Sequence, residues 1–152
     1  MTCLPWKNML LSGSLLGFVS QGLHAETLVL ADQGASNYQL VIPAEAPTPE
    51  IGSALKETAR LVQAAFRANG ADLPIVSEAE RDPARPAIFL GNTLFARAAG
   101  IEVAALHGWG YVHKVVGRDL ILAGHDHPAP ELPKSNRRQN WDRVGSARAA
   151  AD

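Results

Sequence analysis

Apolar positions along the chain change their period from segment to segment, and each change marks an element. Residues 27–31, running from Thr27 to Ala31, are apolar enough for a short strand. The small, polar run from Asp32 to Asn37 then reads as a turn. Tyr38, Leu40 and Ile42 alternate with Gln39 and Val41, which predicts a second strand with one buried face. Pro43 ends it, because proline cannot donate to a ladder. From 49 to 69 the period switches to steps of three and four. Ile51, Leu55, Ala59, Val62 and Phe66 form one stripe, and Lys56, Arg60, Gln63 and Arg67 lie opposite. Thr48 suits the cap, Pro49 the first helical position, Glu50 the positive end of the dipole and Gly70 the stop.

Further on, residues 73–76 predict a short strand, and residues 77–86 a charged, proline-bearing loop. Ala87 to Leu90 is a continuous apolar run, as in a central strand covered on both faces. Gly91-Asn92-Thr93 is a glycine turn, with Thr93 capping a short helix that ends at Gly100. Residues 110–116 and 119–123 are β-rich and separated by Gly117-Arg118, which suits a type II′ hairpin turn. Residues 125–140 are rich in proline, charge and amide and read as a loop. The alanine-rich end, 147–151, reads as the first turns of a helix. The fold class expected is α+β, an α/β sandwich: a single mixed sheet with one long and one or two short helices packed on it.

The N-terminus changes the count of residues available to that fold. Lys7, the apolar run from Met9 to Val19 and the small residue Ala25 have the order of a secretion signal. The run is too short to span a bilayer, which needs about 20 apolar residues. Cleavage after Ala25 is expected, with a secreted or periplasmic mature domain and no membrane partner thereafter. The organisation expected is a signal peptide at 1–25, an α/β domain at 26–127, and a loop plus the start of a helix at 128–152. The single cysteine, Cys3, leaves with the signal, so neither disulfides nor thiol chemistry serve the mature domain. Beyond Ala25 there are 13 basic and 15 acidic residues, a balance with no call for nucleic acid.

Candidate chemistry is sparse. His125-Asp126-His127 offers ligand types that zinc or iron accept, but in an extended segment Asp126 points away from the two imidazoles. A polar loop end is the simpler reading, and a small metal-dependent enzyme built on the triplet is the remotest alternative. Glu78, Glu80 and Asp82 cluster beside Arg81 and Arg85 as a solvated surface does. No paired carboxylates across a cleft, no Gly-x-Ser-x-Gly elbow and no phosphate-binding glycine signature occur. No catalytic residue, cofactor or metal is therefore assigned, and no intrinsic hydrolase activity is expected. Trp109 and Tyr111 share one face of a strand and, with Trp141, could form an aromatic platform for sugar rings, although sheet aromatics more often pack. That platform defines a second reading, a free-standing carbohydrate-binding module.

Three segments carry a resemblance: Ala87-Ile88-Phe89-Leu90-Gly91-Asn92-Thr93, then Gly108-Trp109-Gly110-Tyr111-Val112-His113-Lys114-Val115, then Arg118-Asp119-Leu120-Ile121-Leu122-Ala123-Gly124-His125-Asp126. Together with the long helix and residues 73–76, they resemble the N-terminal α/β domain of secreted glycoside hydrolases, of the α-glucuronidase and β-hexosaminidase types. The resemblance implies a non-catalytic accessory domain whose partner is a catalytic barrel in a longer protein, with a polysaccharide as a second partner. In those families the catalytic carboxylates lie in the barrel, so none is carried over to this chain. The resemblance also implies a helix opening at Arg143-Val144-Gly145-Ser146-Ala147-Arg148, with Ser146 as its cap. A helix cut short at Asp152 is expected to bury little and to leave Val112, Val116 and Ile121 partly exposed.

Overall fold

In the computed structural model, which describes residues 28–107, 110–126 and 144–152, the strand alternation around Leu40 becomes β1, Gln39–Ile42. The chain then forms α1 (Pro49–Ala68), β2 (Ile75–Ser77), β3 (Ala87–Leu90), α2 (Leu94–Ala98), β4 (Tyr111–Val116), β5 (Asp119–Gly124) and α3 (Gly145–Ala151). The five strands make one mixed sheet in the order β2-β1-β3-β5-β4. Four of them run parallel, and β4 is the antiparallel edge. This is a small α+β domain. No described helix is long and apolar enough to cross a membrane.

Strand alternation sorts the core into two layers. Tyr38, Leu40, Ile88, Leu90 and Leu122 face α1 and α3, meeting Ile51, Leu55, Ala59, Ala147 and Ala149. Val41, Phe89, Ile121 and Ala123 face the other way, toward Ala96 and Ile101. β3 is buried at all four positions, as its unbroken apolar run predicts. Each large aliphatic side chain buried here contributes about 1.5–3 kcal/mol. On that second face Phe89 and Phe95 stack at 4.2 Å, and the Arg81 guanidinium sits 4.8 Å from the Phe89 ring centre.

Local signals place the elements. The Thr48 hydroxyl accepts from Ile51 N–H at 3.3 Å, and Pro49 opens α1. Thr93 does the same for α2 through Ala96 N–H at 3.1 Å. Gly117, at φ 60°, takes the first turn position of the β4–β5 hairpin, and Arg118 keeps a negative φ, as a type II′ turn requires. The buried Gln39 amide holds the loop below the sheet, donating to Asp82 O at 2.6 Å and accepting from Asp82 N–H at 3.1 Å.

Three expectations change. Residues 28–31 form no strand. Leu28 and Leu30 pack against the core, but the Leu30 carbonyl is taken by Ser36 Oγ at 2.7 Å, and Asp32 and Ala35 close a tight turn on each other. Ser146 does not cap α3. The helix starts two residues earlier, with Val144 at the cap position, and Ser146 lies inside the first turn. Nor does α3 bury little: Val144, Gly145, Ser146, Ala147 and Ala149 are all buried, and α3 packs on β5, β4 and α1. Ile121 is 0 % exposed, because it faces α2 and not α3. Val112 and Val116 are half-buried on that same face.

Candidate functional site

The residues with chemical potential gather where the parallel strands end. β1 leaves the sheet through Pro43 toward α1 on one face, and β3 leaves through Gly91 toward α2 on the other. These exits diverge from neighbouring strands, and a crevice opens between them. In open α/β sheets such a switch point, at the carboxyl ends of the strands, is where ligands bind. The crevice here encloses about 260 Å³. Pro43, Ala46 and Leu55 give it apolar walls, and Glu45, Asn92, Arg97 and Asp126 give it polar ones. Gly91 is placed by both backbone and space. Its φ is 93°, and a Cβ there would stand 3.3 Å from both Leu55 methyls and 3.4 Å from the Pro43 ring.

Below the crevice, β5 and the start of α3 touch backbone to backbone. A Cβ on Gly124 would fall 2.2 Å from the Gly145 carbonyl carbon, and one on Gly145 would fall 2.6 Å from His125 N. That approach lets Asp126 serve as the acceptor for α3. Its Oδ1 accepts from Ser146 N–H at 2.9 Å, and its Oδ2 accepts from the Ser146 hydroxyl at 2.9 Å. The same hydroxyl, fully buried, accepts from Gly124 N–H at 3.0 Å. An anionic group at a helix start also meets the positive end of its dipole.

The sequence-derived candidates disperse. His125 Nδ1 bonds to Leu106 O at 2.9 Å, while Asp126 turns to Ser146, so the two do not converge on one point. His127 lies outside the described residues, as do Trp109 and Trp141. Among the described residues no cluster of three or more His, Cys, Asp or Glu side chains could hold a metal ion. Tyr111 is half-buried at the start of β4, packs against the α1–α3 core and directs its hydroxyl to the Asp152 carboxylate. Its ring lies 5.4 Å from the His113 imidazole, whose Nε2 meets Ala149 O at 2.6 Å.

The acidic loop is likewise engaged. Glu78 Oε1 accepts from Leu94 N–H, at the start of α2, at 2.6 Å. Glu80 Oε2 accepts from both the hydroxyl and the N–H of Ser77, and these two bonds, the hydroxyl's first, hold its carboxyl below the ordinary carboxylate range. At the opposite end of the sheet, Asp119 Oδ1 accepts from Ala87 N–H at 2.7 Å, and Oδ2 faces Arg81 at 3.5 Å. Burial, and then the Asp119 charge, push the Tyr38 phenol above its usual range, and its hydroxyl donates to Arg118 O at 2.9 Å.

Sequence reading gave Glu45, Asn92 and Arg97 no role in a site. Each sits in an ordinary turn or helix, and only the strand order brings those segments together. No family model, characterised protein or solved structure matches the chain. The fold and the crevice therefore define its class on their own: a small mixed-sheet α+β domain with a switch-point cleft.

Proposed function

We propose that this chain is a non-catalytic N-terminal accessory domain of a secreted, carbohydrate-active protein, supporting a catalytic barrel. One observation carries the reading beyond the sequence resemblance. The described carboxylates and imidazoles nearest to chemistry are committed to holding backbone: Asp126 to α3, Asp119 to β3, Glu78 to α2, His113 to Ala149 and His125 to Leu106. A hydrolase needs such groups free to meet a substrate. Here their removal would cost structure first.

The test is hydrolysis of an aryl-glycoside panel by the purified chain and by the chain joined to a catalytic barrel. Turnover only in the joined form is the expected result. Turnover by the chain alone, abolished by Asp126→Asn in a variant that still folds, would overturn the proposal. Export is part of the same reading. Mass spectrometry of secreted or periplasmic protein should find Glu26 at the N-terminus, and an intact Met1 in the cytoplasmic fraction would contradict it.

A further inference from the structure

We infer that the crevice between the exits of β1 and β3 is a binding site for a small uncharged polyol of about monosaccharide size. The inference stands apart from the accessory role, which needs no ligand in this domain. Three observations converge. The first is position, since the crevice lies where the neighbouring parallel strands β1 and β3 send their connections to opposite faces. The second is size. At about 260 Å³ the space falls just below the range of about 300–1,000 Å³ typical of ligand pockets, which suits a single small ring and not a longer chain.

The third is chemistry. Asn92 lines the crevice, and its Oδ1 is buried without a hydrogen-bond partner. A buried acceptor left unpaired is unfavourable, and most such groups in folded proteins find a donor. For a ligand to reach that oxygen, the side chain must turn about its own torsions and present its amide to the crevice. A hydroxyl there can donate to the oxygen while a neighbouring hydroxyl accepts from the nitrogen. The remaining polar walls favour the same class of ligand. Glu45 offers carboxylate acceptors, Arg97 offers donors only, and Asp126, its oxygens held by Ser146, adds a negative charge to the wall. An anion would meet the two carboxylates, and a cation would meet Arg97. A polyol supplies donors and acceptors at once, and the C–H face of its ring suits Pro43, Ala46 and Leu55.

The experiment is an ¹⁵N–¹H NMR titration of the purified chain with D-glucose, D-xylose and myo-inositol, with sodium phosphate as the anionic control. The expected result is a saturable shift for at least one polyol, below about 20 mM, centred on Ala46, Asn92 and Arg97. Asn92→Ala should weaken that binding about tenfold, the worth of one lost hydrogen bond. It should leave the melting temperature of the free domain unchanged or higher, because the amide oxygen it removes has no partner to lose. Saturation by phosphate alone, no saturable shift with any of the three polyols, or an Asn92→Ala variant that binds equally well would each overturn the inference. So would an Asn92→Ala variant that melts lower, since that would make the amide a structural group.

Discussion

Removing one oxygen atom, with Ser146→Ala, should destabilise the domain by about 2–3 kcal/mol. The size follows from what that oxygen does. It is fully buried, accepts from Gly124 N–H at 3.0 Å and donates to Asp126 Oδ2 at 2.9 Å. The Gly124 N–H has no ladder partner to fall back on. The neighbouring His125 N–H points to β4, bonding to Gly110 O, so Gly124 N–H points to the β3 side, beyond the end of β3. Losing its acceptor strands a buried donor, at a cost of about 1–3 kcal/mol. Asp126 loses one charge-assisted bond but keeps the Ser146 N–H on its other oxygen, so its share is nearer the low end, about 1 kcal/mol. Alanine is the better helix former, which returns about 0.5 kcal/mol.

Against a total stability of about 5–15 kcal/mol, that net loss is large. For a domain of this size it should lower the melting temperature by roughly 10 °C. Thermal and urea unfolding followed by circular dichroism would measure it. Ser53→Ala, on the exposed side of α1, serves as the control and should change little. If Ser146→Ala melts within about 1 °C of the parent while Ser53→Ala does the same, the α3–β5 junction is not held as described.

Gly124→Ala tests the same junction by sterics: its Cβ would collide with the Gly145 backbone at 2.2 Å, and a loss of at least about 3 kcal/mol in urea unfolding is expected. The Glu80 carboxyl, followed by carbon NMR, should titrate below the ordinary carboxylate range, and Ser77→Ala should bring it part of the way back, because the residue 77 N–H bond remains. Because its folded-state value is depressed, the stabilisation it gives is present above the unfolded-state value and lost as pH falls through the folded one. The Tyr38 phenol shows the opposite sign: burial first, and the Asp119 charge second, raise it. Its contribution is present below the unfolded phenol value and lost as pH rises through the folded one, so absorbance at 295 nm should show it ionising late, and Asp119→Asn should bring it part of the way back.

The elements that could be read from the chain are those whose instructions are local. The α1 boundaries are written in Thr48, Pro49 and Gly70, within one turn of the ends they set. Gly117 marks the β4–β5 turn because only a glycine takes that φ without strain. The unbroken run Ala87 to Leu90 announces a strand covered on both sides, and β3 has a helix layer on each face. The short segment at 28–31 has equally apolar side chains, and they do reach the core. Its backbone does not pair, since side-chain pattern specifies burial while a ladder also needs a partner edge, and here Ser36 takes the Leu30 carbonyl.

What could not be read is what depends on contacts between distant segments. Ser146 beside an alanine run looks like a cap, and by local rules it should be one. The helix starts earlier because Gly145 has no side chain and can lie directly on β5, and that approach exists only because position 124 is also glycine. Neither glycine signals the other across the 20 intervening residues. Once the two backbones meet, the cap must come from the strand side, and Asp126, two residues beyond Gly124, is the carboxylate within reach. The His125-Asp126-His127 triplet, which by composition suggests a metal site, thus has its acid turned to a helix terminus. The crevice has the same origin. Pro43, Asn92 and Asp126 are turn residues in three separate stretches, and they share a wall because β1, β3 and β5 are neighbours in the sheet and end at one side of it. Chemistry that rests on strand order is invisible to periodicity, so the side chains with the least local meaning, Asn92 above all, are the ones that the fold turns into a site.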